Sequence, residues 1–222
     1  VSGRFIVFEG GEGSGKSTQA ARLAEHLGAL LTREPGGTPL GARLRELLLA
    51  PPEPDAADGP PEARMAVRTE ALLMAADRAQ HAAEVLRPAL RAGRDVVCDR
   101  YIPSTVAYQG AGRGLDPDEL TGISTWAVED LQPDLVVLLE VPDDVAAART
   151  GGARDRIEAA GADFHRRVAE SFRAQAAADP GRWVVVDGDG TPDEVEARVR
   201  AAVAARWPDV AQESDAEEPI DG

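Results

Sequence analysis

Lysine is almost missing from this 222-residue sequence: of its 24 lysines and arginines, only Lys16 is a lysine. Cysteine is as scarce. Cys98 stands alone in the apolar run 95–98, where it reads as a small buried hydrophobe rather than a nucleophile or metal ligand. Aromatic residues make up only 4% of the chain, too few for the stacking platforms that grip single-stranded nucleic acid. The core must therefore come from Ala, Val and Leu, which suits helices packed on a sheet. No apolar run approaches the ~20 residues of a membrane span. A first strand begins almost at once and leaves no room for a signal peptide, so a soluble cytoplasmic protein without membrane attachment is expected. The histidines, His26, His81 and His165, show no ligand spacing and read as surface or ordinary helix residues.

The formal net charge of -15 argues against a surface that coats nucleic acid. Six of the excess acids, Asp209, Glu213, Asp215, Glu217, Glu218 and Asp221, fall in the stretch 209–222, which has no basic residue. That stretch is expected to be a disordered tail behind a single domain of residues 1–208, long enough to bury a core without disulfides or metals. What matters for function is where the arginines gather.

Residues 4–9 form a short apolar run that reads as a buried strand, followed by glycines and a helical pattern over 17–27. Residues 30–33 are a weaker strand, and 39–49 show helical spacing at Leu40, Leu44, Leu47 and Leu48. A Pro-rich surface loop over 51–61 precedes one helix over 62–81 and another over 82–92, with Pro88 as a kink and Gly93 as the stop. Runs at 95–98, 135–139 and 183–186 complete five strands separated by helix-length segments. Such alternation predicts an α/β fold, a parallel sheet with helices on both faces. Thr191 is placed to cap a closing helix over 191–207, with Pro192 in its first turn.

Gly10-Gly11-Glu12-Gly13-Ser14-Gly15-Lys16-Ser17 fits the phosphate-loop pattern G-x-x-x-x-G-K-[ST] between a strand and a helix, where that pattern must stand. Its glycines admit positive φ angles, so successive N–H groups and the helix N-terminus can face a phosphate chain. Lys16 would bridge the β- and γ-phosphates of ATP, and the Ser17 hydroxyl would be a ligand of Mg2+. An arginine fork cannot replace a compact ammonium between two phosphates, which accounts for the one lysine in an arginine-rich chain. Asp99 ends a strand at the carboxyl edge of the sheet, where a carboxylate can reach that metal through water. A guanine-nucleotide switch would need a second lysine in its base-reading N-K-x-D element. A motor ATPase would need acids after a long apolar strand, and 135–140 offers only Glu140. A small-molecule kinase of the phosphate-loop class remains.

At this point the sequence resembles the thymidylate kinases, in their bacterial form, along nearly its whole length to about Trp207. The resemblance rests on Glu9 to Thr18, on Thr32-Arg33-Glu34-Pro35-Gly36-Gly37-Thr38, on Ala75-Ala76-Asp77-Arg78 and on Asp99-Arg100-Tyr101. Ser104-Thr105, Ala107-Tyr108-Gln109-Gly110 and Arg154-Asp155-Arg156-Ile157-Glu158 follow in order. It implies a P-loop kinase fold with a lid at about 147–158, ATP and dTMP as substrates, Mg2+ with the ATP, dTDP as product and a homodimer. Another nucleoside monophosphate, dUMP or UMP/CMP, is the alternative acceptor.

The same resemblance implies roles for single residues. Glu12 takes the 3′-hydroxyl of the deoxyribose, Arg45 and Arg100 hold the acceptor phosphate, and Arg78, Thr105 and Gln109 read thymine, Arg78 at a carbonyl. Tyr108 crowds the 2′ position against ribose. Lys16, Arg100, Asp99 and Arg154 form the catalytic set, and Gly10 to Thr18 with Arg149 and Arg156 bind ATP. Two departures from the family pattern stand out. Met74 occupies the place of a phenylalanine that stacks on thymine, which opens the base preference toward dUMP. Gly13 occupies a place where some members carry an arginine, so the charge on the moving phosphoryl group must come from the lid, from Arg154 first and from Arg149 and Arg156 behind it.

Overall fold

The computed structural model describes residues 2–50, 65–150, 157 and 160–208. Five parallel strands form one sheet: β1 (Phe5–Glu9), β2 (Leu30–Arg33), β3 (Val96–Asp99), β4 (Leu135–Glu140) and β5 (Trp183–Asp187), in the order β2-β3-β1-β4-β5. Strand β1 lies at the centre, and all five of its residues are buried. The two-residue period of a strand divides it between two cores. Ile6 and Phe8 join Leu23, Val195, Val199 and Val203 on one face, and Phe5 and Val7 join Leu86, Val96, Cys98 and Tyr101 on the other. Cys98 is fully buried there, and burial holds its thiol well above the usual range.

Helix α1 (Lys16–His26) follows β1 and packs with α9 (Pro192–Arg206) over the first core. The closing helix starts as its sequence predicts, with Thr191 and Glu194 in a reciprocal capping box. Helix α2 (Pro39–Leu49) is capped by Thr38, whose hydroxyl accepts from the Gly41 N–H. Its leucines divide: Leu48 is fully buried, while Leu40 and Leu47 are exposed.

The two helices expected over 62–92 are one. Helix α3 (Val67–His81) passes through a π-helical turn, Ala82–Leu86, into α4 (Arg87–Arg91) with no break. A proline ring clashes with the carbonyl four residues back in a regular helix, and the widened π turn ahead of Pro88 removes that conflict. Gly93, with φ of 76°, ends it as expected. After β3 the chain enters α5 (Ile102–Thr105), which continues as a second π segment, Val106–Gly112. Helices α6 (Pro117–Ala127), α7 (Asp143–Arg149) and α8 (Ala162–Ala178) complete the described residues. The loop 51–61 and the tail 209–222 lie outside those residues, as does the lid beyond Thr150 except Ile157.

The strand order reverses at β1, with β3 and β2 on one side and β4 and β5 on the other. In an open parallel sheet the crevice beyond the strand ends at such a reversal is the place for a ligand. Residues 10–15 and Arg100 leave the sheet there.

Candidate active site

Gly15 precedes α1 in the left-handed region, φ 89°, and no side chain caps the helix. Its first N–H groups are therefore left for an anion. Gly10 and Gly13 also have positive φ, 145° and 72°. The Lys16 ammonium donates to the Gly11 carbonyl at 2.7 Å and reaches Ser14 Oγ at 3.5 Å, held back along the loop it serves. Burial first, and the charge of Arg100 next, bring its pKa down to about 8. A phosphate chain would add negative charge to that of Glu12, Asp99 and Glu9, which already favour this buried cation.

Between the phosphate loop and helices α3 and α5 lies a cavity of about 180 Å³. Its walls contain every acceptor residue expected from the sequence: Glu12, Arg45, Met74, Arg78, Arg100, Thr105, Tyr108 and Gln109. Lys16, Ser17 and Asp99 reach the same space. Arg100 adopts φ 73° directly after β3, and this left-handed turn throws its side chain back over the phosphate loop. Its guanidinium donates to Glu12 Oε1 at 2.5 Å, to Ser104 Oγ at 3.1 Å and to the Gly10 carbonyl at 3.2 Å. Burial alone would raise the Glu12 carboxyl, but Arg100, Lys16 and the Tyr108 hydroxyl outweigh it and hold the pKa at about 2.

Two features equip this space for a metal with phosphate ligands. Ser17 Oγ lies 2.5 Å from Asp99 Oδ2, and Asp99 Oδ1 is buried with no hydrogen-bond partner among the described residues. No group of three or more His, Cys, Asp or Glu among the described residues could hold an ion alone, so most ligands would be phosphate oxygens and water.

Arg45 donates to the Pro35 carbonyl at 2.9 Å from α2, across the turn that follows β2. Arg78 is 2% exposed, with Nε on Glu34 Oε2 at 2.7 Å and a terminal nitrogen on Thr105 Oγ1 at 3.1 Å. Gln109 donates to Glu70 Oε1 at 2.7 Å, and Met74 presents an apolar wall. Thr18 is exposed on the first turn of α1 and does not line the cavity.

Arg149, inside the lid expected at about 147–158, is the last residue of α7 and donates to the Gly188 and Gly190 carbonyls at 2.9 and 3.0 Å. It lines a second cavity of about 630 Å³ on the other side of the phosphate loop, with Gly11, Glu12, Gly13 and Ser14. Arg154 and Arg156 lie outside the described residues. A Cβ on Gly13 would collide with the Ala146 carbonyl, so α7 packs where a side chain at that position would stand.

Sequence reasoning passed over several polar groups. His81 was expected at a surface or in an ordinary helix setting. It is fully buried, with Nδ1 2.9 Å from Glu34 Oε1 and Nε2 2.7 Å from Thr32 Oγ1. Glu9, the last residue of β1, accepts from the Tyr101 and Ser104 N–H groups at 2.9 and 3.2 Å and from the Ser104 hydroxyl at 2.6 Å. It thereby caps a helix, α5, that has no cap of its own. Arg33 adds a further cation to the cavity wall. Glu34-Pro35 lies in the run Thr32 to Thr38 that carries part of the family resemblance. Its peptide bond is cis.

Comparison with known proteins gives one answer. The thymidylate kinase family model matches residues 8–199. The thymidylate kinase of Cutibacterium acnes is 48% identical over 208 residues, covering 91% of this chain and 97% of that protein. That of a Synechococcus strain is 49% identical over 209 residues, covering 92% and 96%. The crystal structure of the Ehrlichia chaffeensis thymidylate kinase superposes with a TM-score of 0.72 at 30% identity, covering 91% of this chain and 99% of that one.

Proposed function

The chain belongs to the thymidylate kinase family, and from that premise we propose how its residues divide the work of moving a phosphoryl group from ATP to dTMP. The enzyme is an ATP-dependent dTMP kinase that yields dTDP. One observation carries the division of labour. Glu12, a phosphate-loop residue, takes hydrogen bonds from Arg100 and Tyr108 of the acceptor cavity, so donor and acceptor sites share a wall.

A phosphate monoester with second pKa near ~6 is already largely dianionic at neutral pH, so the acceptor oxygen needs little help from a base. Catalysis is then alignment and charge compensation. The N–H groups of residues 10–17 and the Lys16 ammonium hold the β- and γ-phosphates. Arg100 and Arg45, with Arg33 at the rim, hold the acceptor phosphate. Ser17 and Asp99 would hold Mg2+, and the Asp99 oxygen that has no hydrogen-bond partner among the described residues supports that assignment. When bound, the ion neutralises charge that builds on the donor phosphates. Arg154 and Arg156 would close over the transferring group from the lid, and Arg149 anchors the lid's first turn to the loop after β5.

Arg78, Thr105 and Gln109 read the base, Glu12 accepts from the 3′-hydroxyl, and Tyr108 excludes a 2′-hydroxyl. Met74 packs on the ring with less selectivity than an aromatic would, which leaves dUMP as a weaker second substrate. We also propose a cytoplasmic homodimer with no nucleic-acid or membrane partner. Helix α3 packs between α2 and α6, and the three expose Leu40, Leu47, Leu72, Ile123 and Trp126. Trp126 is 82% exposed, a side chain suited to an interface. Among the described residues no helix is long and apolar enough to cross a membrane.

The deciding experiment couples ATP consumption to dTMP, dUMP, UMP, CMP, AMP and GMP in turn. Turnover is expected with dTMP foremost and dUMP second. Activity on another monophosphate with none on dTMP would replace the acceptor assignment.

A further inference from the structure

The base-reading roles of Arg78 and Gln109 are the ground on which this inference stands. Each of these side chains is held from behind by a carboxylate that lies deep in the protein. Gln109 donates from Nε2 to Glu70 Oε1 at 2.7 Å, and Arg78 donates from Nε to Glu34 Oε2 at 2.7 Å. Glu70 is 1% exposed and Glu34 4%. Burying a carboxylate is costly, and apolar residues in the same places would serve stability at least as well. A reason for two such acids beside one cavity must lie in what they do to their partners.

A carboxylate offers only acceptors, so it decides which end of a neighbouring amide turns toward it. With its nitrogen on Glu70, Gln109 keeps its carbonyl oxygen as the remaining acceptor at the cavity wall. Arg78 has no acceptor at all. Its Nε edge is taken by Glu34, and its terminal nitrogens sit 3.1 Å from Thr105 Oγ1, 3.3 Å from the Tyr101 carbonyl and 3.4 Å from Ser124 Oγ. The reading edge thus presents one donor and one acceptor in fixed places. Thymine and uracil offer a ring carbonyl beside a ring N–H, which matches that pattern. Cytosine offers an amino group beside an unprotonated nitrogen, the inverse.

The two acids are themselves clamped. Glu34 Oε1 accepts from His81 Nδ1, whose ring is wedged against Gly37, where a Cβ would stand 2.5 Å from His81 Cδ2 and Nε2. Glu70 Oε2 lies 3.6 Å from Arg113 Nε, and that guanidinium rests on the Phe164 ring at 4.8 Å. We propose that Glu70 and Glu34 are positioning residues that set the polarity of the base-reading edge, admitting pyrimidines with a carbonyl next to a ring N–H and rejecting cytosine.

The test is the ratio of kcat/KM for dTMP to that for 5-methyl-2′-deoxycytidine 5′-monophosphate, which differs from dTMP only along that edge. Glu70→Gln frees the Gln109 amide to turn over, since a glutamine at 70 can donate as well as accept. The ratio should fall roughly tenfold or more, through KM for dTMP, with kcat nearly retained. Val199→Ala, a cavity on the opposite face of the sheet, should leave the ratio alone, and a fall there would assign the effect to loosening. If Gln109→Ala lowers the ratio and Glu70→Gln does not, the polarity proposal is overturned while base reading stands. If Gln109→Ala also leaves it unchanged, the base-reading assignment itself falls. Should Glu70→Gln fail to melt cooperatively, Glu34→Gln decides the matter: a reduced ratio supports the pair, and wild-type discrimination overturns it.

Discussion

Tyr108 donates its hydroxyl to Glu12 Oε1 at 2.9 Å, which ties the π-helical segment of the acceptor wall to the phosphate loop. The Arg100 guanidinium lies 4.9 Å from the centroid of the same ring and donates to the same oxygen. On its other side the ring meets Phe164 and Phe172 edge-on, with centroids at 6.0 and 6.1 Å. A ring gripped this way cannot swing aside, which is what a steric test for a 2′-hydroxyl requires.

Two substitutions at Tyr108 should therefore act differently. Tyr108→Phe keeps the ring and removes the tether, so the preference for dTMP over its ribonucleotide counterpart should persist while KM for dTMP rises several-fold as Glu12 loses a donor. Tyr108→Ala removes the obstacle and should narrow that preference by roughly tenfold or more. Steady-state kinetics on the two nucleotides checks both. Equal preference in the wild type and Tyr108→Ala would make the residue a packing element only.

Glu9 carries a pH dependence whose sign can be worked out. Burial pushes its carboxyl from 4.5 up to about 7, against the opposing pull of Arg100, Ser104, Tyr101 and Lys16. Below pH 4.5 the group is neutral in both folded and unfolded chains. Between there and about 7 the folded chain holds a proton that the unfolded chain has released, so this residue's contribution to stability is lost as pH rises. The loss amounts to about 3 kcal/mol above the window. Glu9→Gln cannot titrate. The stability of the wild type relative to that variant, from urea melts without ligand, should thus decline from pH 4.5 to 8. A constant difference would mean that Glu9 ionises in the fold as readily as in water.

The sheet was legible because each strand is an apolar run bounded by turn residues, and burial on both faces leaves little freedom in how 5–9 or 135–140 can fold. The phosphate loop was legible because its chemistry constrains a contiguous stretch. The continuous helix through Pro88 was not, since proline looks like a break unless the π turn before it is foreseen. Nor were Glu34, Glu70 and Glu9 as supports. Each acts through partners 44, 39 and 92 positions away, and only packing brings those pairs together. His81 reads as a polar helix residue for the same reason: its neighbours Thr32 and Glu34 come from β2 and the turn after it.

The phosphate loop is also constrained from outside. Gly13 has φ 72° and faces the Ala146 backbone of α7, so any side chain there meets two penalties. The left-handed backbone alone costs about 1–2 kcal/mol for alanine, and the collision must push α7 away. Gly13→Ala should lower thermal stability and raise KM for ATP together. An alanine variant with wild-type melting temperature and ATP kinetics would show that α7 yields freely.

An exposed tryptophan beside exposed leucines is expected to be covered in solution. Trp126→Glu places a charge where Leu72 and Ile123 also face outward, and it should convert a dimer into monomers while leaving the fold intact. Sedimentation equilibrium at micromolar concentration reads this directly. A wild-type chain that sediments as a monomer would remove the homodimer.

The lid prediction follows from the charge missing at Gly13. Lys16 is the only lysine in the chain, and in the proposed arrangement it meets the β- and γ-phosphates while Arg100 meets the acceptor phosphate. Arg149 is engaged with the Gly188 and Gly190 carbonyls. The proposed arrangement assigns the charge on the equatorial oxygens of the moving phosphoryl group to Arg154, with Arg156 behind it. A cation that acts only in the transition state contributes to kcat and not to ground-state binding. Arg154→Ala should consequently reduce kcat by about a hundredfold or more and leave dTMP affinity, measured calorimetrically, close to the wild type. Arg154→Lys should recover only part of the rate, because an ammonium lacks the guanidinium's fork of donors. Full turnover in Arg154→Ala would move the compensating charge to Arg156 or back to Arg149, and the double variant Arg154→Ala, Arg156→Ala would tell these apart.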